Sequence, residues 1–199
     1  MANHTSTDRG ERAADASAKI APSTEASSSS KSEGPAPAKP EIAEKPIGVE
    51  RLTHTDVNEV CALYKRVWDG QKGELSPDMV KAWEPSPLEF TSWMEGVTYF
   101  AARRGSRLVG VIGLEISQGS GRILHLAVEP DGRRQGVATA LIRATIEWAR
   151  RANCPSIWVD ILARFTTASA VFDHLGFQKV GTLHRHEWNE DVHFFELLL

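Results

Sequence analysis

Cysteine is scarce in this 199-residue chain: Cys61 and Cys154 stand 93 positions apart, with no second pair. A disulfide scaffold and a four-cysteine zinc site are thereby excluded, and a reducing, cytoplasmic setting is expected. Long apolar runs are missing too. The longest, Leu108 to Leu114, contains two glycines and falls far short of the ~20 residues a membrane-spanning helix needs, so no membrane partner is expected. Basic charge is not in excess: 23 Lys and Arg face 26 Asp and Glu, for a net charge of -3. That balance lacks the basic footprint of a nucleic-acid-binding protein. Neither G-x-x-x-x-G-K-[ST] nor G-x-G-x-x-G occurs, so the sequence supports neither an ATPase loop nor a dinucleotide fold.

Aromatic residues are absent from positions 1–46, although the chain has fifteen. Ser, Ala and Pro fill 23 of those 46 positions, and Met1, Ile20 and Ile42 are the only large apolar side chains there. Such a segment cannot bury enough surface to offset backbone ordering, which costs about 1–2 kcal/mol per residue, and it reads as a disordered tail. The remaining 153 residues, 47–199, suffice for one core of a single domain.

Within that part, Ile47 to Leu52 alternates as a strand, and Thr55 can cap a helix through Tyr64. Asp69 to Pro87 is rich in Gly, Pro and charge and reads as a loop, followed by a short helix to about Met94. Strands are predicted at Val97 to Ala102, Leu108 to Ile116 and Ile123 to Val128, joined by the turn signals Gly105-Ser106 and Gln118-Gly119-Ser120-Gly121. A long helix from about Gln135 to Ala152 keeps Val137, Leu141, Ala144, Trp148 and Ala149 on one stripe. A strand at Ser156 to Leu162, a short helix capped by Thr166 or Thr167, and a hairpin of Val180 to His186 with Val192 to Leu198 complete the order. A meander followed by β-α-β and two more strands predicts an α/β fold with a mixed sheet.

The turn after the third strand of the meander carries the most chemistry. In Arg133-Arg134-Gln135-Gly136-Val137-Ala138 an apolar strand leads in and an amphipathic helix leads out. A helix N-terminus presents unpaired N–H groups and partial positive charge, which suits an anion. Gly136 and Ala138 keep side chains small where a diphosphate approaches, and two arginines add charge. A well-capped helix with two solvated arginines accounts equally for this fragment alone.

The segment fits the [QR]-x-x-G-x-[GA] hallmark of the GCN5-related N-acetyltransferases. Ala168 to Phe177, A-S-A-V-F-D-H-L-G-F, is similar to the same family's A-x-x-x-Y-E-K-L-G-F. From Ile47 onward the chain thus resembles a single domain of that family. The resemblance implies a mixed, mostly antiparallel sheet flanked by helices, and acetyl-coenzyme A as co-substrate without metal. It implies that the diphosphate rests on the amides of Arg134 to Thr139, beside Arg133. The pantetheine arm would pair, strand-like, with Leu126, Ala127 and Val128. The implied acceptor is a primary amine, of a small molecule, an amino acid or a protein; the chain itself is expected to be a monomer or homodimer.

The sequence departs from the family at two places. Phe165 stands where an asparagine is usual, with Thr166 and Thr167 as substitute hydroxyls. Phe172 replaces the tyrosine that often protonates the leaving thiolate, and a phenyl ring has no proton to give. Aligned on the two motifs, Asp160 occupies the place of a catalytic glutamate in some members; a strand carboxylate paired with Arg or Lys is the competing account. Glu115 is the reserve base, and His186 is a candidate acid in place of the tyrosine. His125, inside an apolar strand, fits a core position as well as a catalytic one. Trp68, Trp83, Phe90 and Trp93 either shape the acceptor pocket, as that region does in the family, or cap the core. His184, His186 and His193 meet no recognised ligand spacing, and no metal is expected. The two losses of polar function also leave open a non-catalytic acyl-coenzyme A binding or sensing module.

Overall fold

Residues 46–71 and 73–199 are described by a computed structural model. The tail read over positions 1–46 therefore lies, apart from Pro46, outside the described residues. Seven strands form one sheet: β1 (Ile47–Arg51), β2 (Val97–Arg104), β3 (Arg107–Ser117), β4 (Ser120–Val128), β5 (Ser156–Leu162), β6 (Gln178–Glu187) and β7 (Glu190–Leu198), in the order β1-β2-β3-β4-β5-β7-β6. Every pairing is antiparallel except that of β4 with β5. The helices are α1 (Val57–Asp69), α2 (Pro77–Trp83), α3 (Pro87–Trp93), α4 (Val137–Arg151) and α5 (Thr166–His174). The expected α/β class and mostly antiparallel sheet are both present.

Two apolar layers cover the sheet. On one face α4 buries Val137, Leu141, Ile142, Ile146 and Ala149 against Leu114, Ile123, Ile157 and Phe195. On the other, α1 and α3 bury Val60, Leu63, Tyr64, Val67 and Phe90 against Tyr99, Ala101, Val111 and Ala127. A third cluster joins Met79 and Val80 of α2 to Leu162 and Val192 at the ends of β5 and β7. Gly110 sets how closely α4 approaches: a Cβ there would lie 2.8 Å from Val137 Cγ1 and 3.0 Å from Leu141 Cδ1. The two-residue turn Gln118-Gly119 has φ of +51° and +82°, the left-handed pair that matches strand twist in a tight hairpin.

The segment expected as a loop from Asp69 to Pro87 contains α2. Ser76 caps it, accepting from Met79 N at 3.3 Å, and Pro77 opens it. Burial of Met79 and Val80 outweighs the breakers around them. The first helix also starts and ends later than its pattern predicted. A capping box of Thr53 and Asp56 precedes it, and the apolar stripe continues to Val67. Neither threonine caps α5; Phe165 holds that position without a side-chain hydrogen bond.

Candidate active site

β4 and β5 pair only briefly, Gly121 to Ile157, Arg122 to Trp158 and Ile123 to Val159. Beyond those residues β4 continues to Val128 and β5 to Leu162 without a shared ladder, so the sheet splits. Its cause is local to β4. Ala127 pairs with Val111 and Leu124 with Gly113, which sets His125 and Leu126 against Ile112 alone. His125 sits in the left-handed region at φ +55°. Such a bulge bends its strand and increases twist, carrying β4 away from β5. Leu126, Ala127 and Val128 lie on this diverging stretch.

The turn expected to hold a diphosphate stands at the end of the same strand. Arg134 and Gly136 have φ of +60° and +78°, and α4 begins at Val137 with Ala140 N the first amide to bond back, to Gly136 O at 2.9 Å. Among the described residues no acceptor meets the amides of Arg134, Gln135, Gly136, Val137, Ala138 or Thr139. Six consecutive donors at a helix N-terminus suit a phosphorylated ligand. A Cβ on Gly136 would meet nothing within 4 Å, so the space over the turn is open. Arg133 and Arg134 are exposed, and Arg133 Nε lies 3.4 Å from Val128 O. Arg104, which the sequence reading did not single out, reaches Gln135 from β2 and keeps a buried Nε without a partner. The residues present fit the diphosphate that the family motif implies.

Glu129 anchors this turn. Its carboxylate is nearly inaccessible, and Oε1 accepts from Arg66 Nε at 2.8 Å and Arg107 Nη2 at 2.7 Å. Burial alone would raise its pKa, but the two guanidinium groups hold it below the ordinary glutamate value. The last residue before the turn is thereby tied to α1 and β3.

The α1–α3 face of the split gathers a second set of groups. Arg122 Nε and Nη2 donate to Asp160 Oδ1 at 3.1 and 2.9 Å, and the guanidinium lies 4.9 Å from the Trp158 ring centroid. Asp160 directly follows Val159, the last residue of β5 paired with β4, so this ion pair crosses the foot of the split. Of the two accounts of Asp160, the structure therefore contains the paired carboxylate, with Oδ2 left over. Glu115 is the register partner of Arg122 on β3. His125 is stacked on Trp93, centroids 4.3 Å apart at 26°. Its Nδ1 lies 2.5 Å from Tyr99 Oη, and its carbonyl accepts from Tyr64 Oη at 2.8 Å. Burial, then the charge of Arg122, pushes its pKa down to about 4, against the opposing pull of Asp160. Burial likewise raises the Tyr64 and Tyr99 phenols, so all three groups are neutral at pH 7.

His186 is not brought to this place. It is exposed on β6, the edge strand, and β7 and β5 separate it from β4. At about 4.8 Å per strand, three strand spacings lie between its strand and β4. Phe172 is buried, edge-on to Phe177 at 5.1 Å. Phe165 turns toward α2, 5.9 Å from Trp83, which packs 4.9 Å from Trp68. The tryptophans thus fill the core edge and line the helical face at once. The final histidines are engaged separately, His184 with Asp191 and His193 with Thr182. Sequence reasoning missed Arg122, Tyr64 and Tyr99; a charged residue within the apolar β4 was the available signal for Arg122.

The fold has counterparts. A ribosomal-protein-S18-alanine N-acetyltransferase from Escherichia coli superposes with a TM-score of 0.64 at 19% identity, covering 77% of this chain and 94% of that one. PaiA N-acetyltransferase from Thermoplasma acidophilum, solved in complex with coenzyme A, gives 0.65 at 14% identity over 77% and 99%. Human N-acetyltransferase 8 is 29% identical over 92 residues, 43% of this chain and 40% of that relative, so the match spans well under half of the relative's length. The acetyltransferase (GNAT) family model matches residues 44–177, a stretch that contains the split strands, the six free amides and the motif around Phe172. The chain belongs to the GNAT acetyltransferase family.

Proposed function

We propose that this protein is an N-acetyltransferase that moves an acetyl group from acetyl-coenzyme A to a primary amine by direct attack. The observation that carries this reading is the meeting of two features at one end of β4. The six unpartnered amides at the start of α4 would hold the diphosphate. The diverging edge at Leu126, Ala127 and Val128 would receive the pantetheine arm in the split. The donor substrate supplies an activated thioester. A backbone N–H of that edge would polarise its carbonyl, an interaction worth about 2.7–4 kcal/mol where single oxyanion donors have been removed from other enzymes.

The acceptor would enter from the α1–α3 face, past Trp93, Trp68 and Trp83. Asp160 Oδ2 and Glu115 are carboxylates suited to orienting its amine, with Arg122 fixing Asp160. A small amine, an amino acid and a protein amine all remain acceptors of this reading. Thiol release from acetyl-coenzyme A with a panel of amines tests it: turnover on at least one is expected, and none on any sinks the proposal. A second reading, a non-catalytic acyl-coenzyme A binding module, is favoured by the buried phenyl ring of Phe172. Calorimetric binding of coenzyme A without turnover would establish that one instead.

A further inference from the structure

The His125 geometry is costly and none of the roles described so far uses it. A non-glycine residue at φ +55° stores of order 1–3 kcal/mol of strain and persists only where its surroundings hold it. Here three aromatic residues from three elements do so. Tyr64 of α1 fixes the backbone carbonyl, Tyr99 of β2 fixes Nδ1, and Trp93 of α3 fixes the ring plane. Gly113 makes room for this: a Cβ there would stand 3.0 Å from the Tyr99 ring. Nε2 has no hydrogen-bond partner among the described residues and is not among the buried orphan atoms. The ring belongs to the stretch of β4 that has parted from β5, immediately before Leu126.

We propose that His125 is a catalytic residue whose Nε2 takes the proton lost by the attacking nitrogen and delivers it to the departing thiolate, the service that Phe172 cannot perform. The inference rests on the acetyl-transfer reading. In the step, the amine lone pair forms the C–N bond while the C–S bond breaks and its electron pair leaves on sulfur. One N–H bond breaks and its proton goes to Nε2. The Nε2–H bond then breaks as S–H forms, which returns the imidazole to its neutral state and consumes no other reactant. Nδ1 must carry the resting proton and donate it to Tyr99 Oη, which makes Tyr99 a positioning residue. Tyr99, Arg122 and Asp160 are the titratable groups acting on the ring. With a pKa near 4 the imidazolium is short-lived, and passing its proton to a thiolate whose thiol has the ordinary pKa of ~8.5 is downhill by roughly 4 units.

The test uses the full chain and three readouts. His125→Gln and His125→Ala should each lower kcat/KM at least ~100-fold, the scale of general acid–base catalysis, with coenzyme A affinity held within about twofold by calorimetry. Added imidazole should restore turnover to His125→Ala, a rescue that a packing role would not give. The ring 15N shifts of the ligand-free protein should report the neutral Nδ1–H tautomer from pH 5.5 to 8, and Tyr99→Phe should mix in the other tautomer. A His125→Gln variant within about threefold of the wild-type rate overturns the proposal. So does a folded, coenzyme A-binding His125→Ala that imidazole fails to rescue, or an Nε2–H tautomer in the wild type. A wild type that acetylates no amine sinks the acetyl-transfer reading as well, an outcome distinct from an active wild type with an active variant.

Discussion

Replacing Gly136 by Ala separates the two possible roles of the turn before α4. Gly136 has φ +78°, and a Cβ there meets no atom within 4 Å. The cost to the folded state is therefore conformational, with no clash to add. A left-handed L-residue costs about 1–2 kcal/mol, partly offset by the lower entropy of the unfolded alanine. A net loss near 1 kcal/mol lowers Tm by about 2–4 °C in a domain of this size. Ligand binding should suffer more. Relaxing φ toward negative values turns the peptide planes on either side of residue 136, and with them two or more of the six aligned amides. Each hydrogen bond to a charged group contributes about 1.5–3 kcal/mol, so misaiming one or two predicts at least a tenfold weaker coenzyme A complex. Thermal melting and calorimetric titration measure the two effects on the same sample. A variant that loses the expected stability but binds coenzyme A as the parent does would show that the turn is only a helix cap, and the diphosphate assignment would fall.

Glu129→Gln should cost about 2 kcal/mol at pH 7, because the buried site loses the charge that two guanidinium groups were placed to meet. Since the folded pKa of Glu129 lies below its unfolded value, its contribution is complete above the unfolded pKa and disappears as pH falls through the folded one. Melts from pH 7 down to 3 should therefore bring parent and variant together; a constant Tm gap over that range contradicts the account. Phe172→Tyr places a hydroxyl beside Phe177 in a buried cluster, and should lower Tm without raising kcat. A rate increase would mean that the hydroxyl reaches the thiolate and that the ring lies closer to the donor than its packing indicates. Trp83→Ala strips the partner of Trp68 and Phe165 on the helical face. It should raise KM for the acceptor while leaving coenzyme A affinity unchanged, and the reverse pattern would move the acceptor site elsewhere.

Which features were legible in the sequence follows from how local their causes are. The Gly105-Ser106 and Gln118-Gly119 turns and the stripe of α4 are set by neighbours within a few residues, and each was found. The helix α2 was missed because Gly, Pro and charge around it outvoted a Ser-Pro cap and two buried side chains, whose apolar partners Leu162 and Val192 lie far along the chain. The six amides could be anticipated because a strand–turn–helix junction orients its own N–H groups. The sheet split could not, since it depends on one extra residue in β4 relative to β3, a comparison between strands. Asp160 illustrates the same limit. Its alternation on β5 was visible, but its partner Arg122 sits 38 positions away and meets it only because β4 and β5 are parallel at that point.

That pairing bears on the acceptor more than the net charge of the chain does. Arg122 spends two N–H donors on a single oxygen of Asp160 and lies against Trp158, so little of its charge is left to attract an anion. Glu115 stands opposite Arg122 in register, and His125 is neutral. Two carboxylates against one committed guanidinium leave this face with a local charge of about -1 at neutral pH. On the proposed reading such a face favours a cationic amine over a carboxylate or phosphate near the point of attack. The amine arrives protonated, is held by Asp160 Oδ2 and Glu115, and gives up its ammonium proton to solvent water before it attacks. His125, neutral and with Nε2 unengaged, is the group beside these carboxylates that can accept the next one. The division of labour follows: the carboxylates attract and orient, and the imidazole moves the proton released during attack.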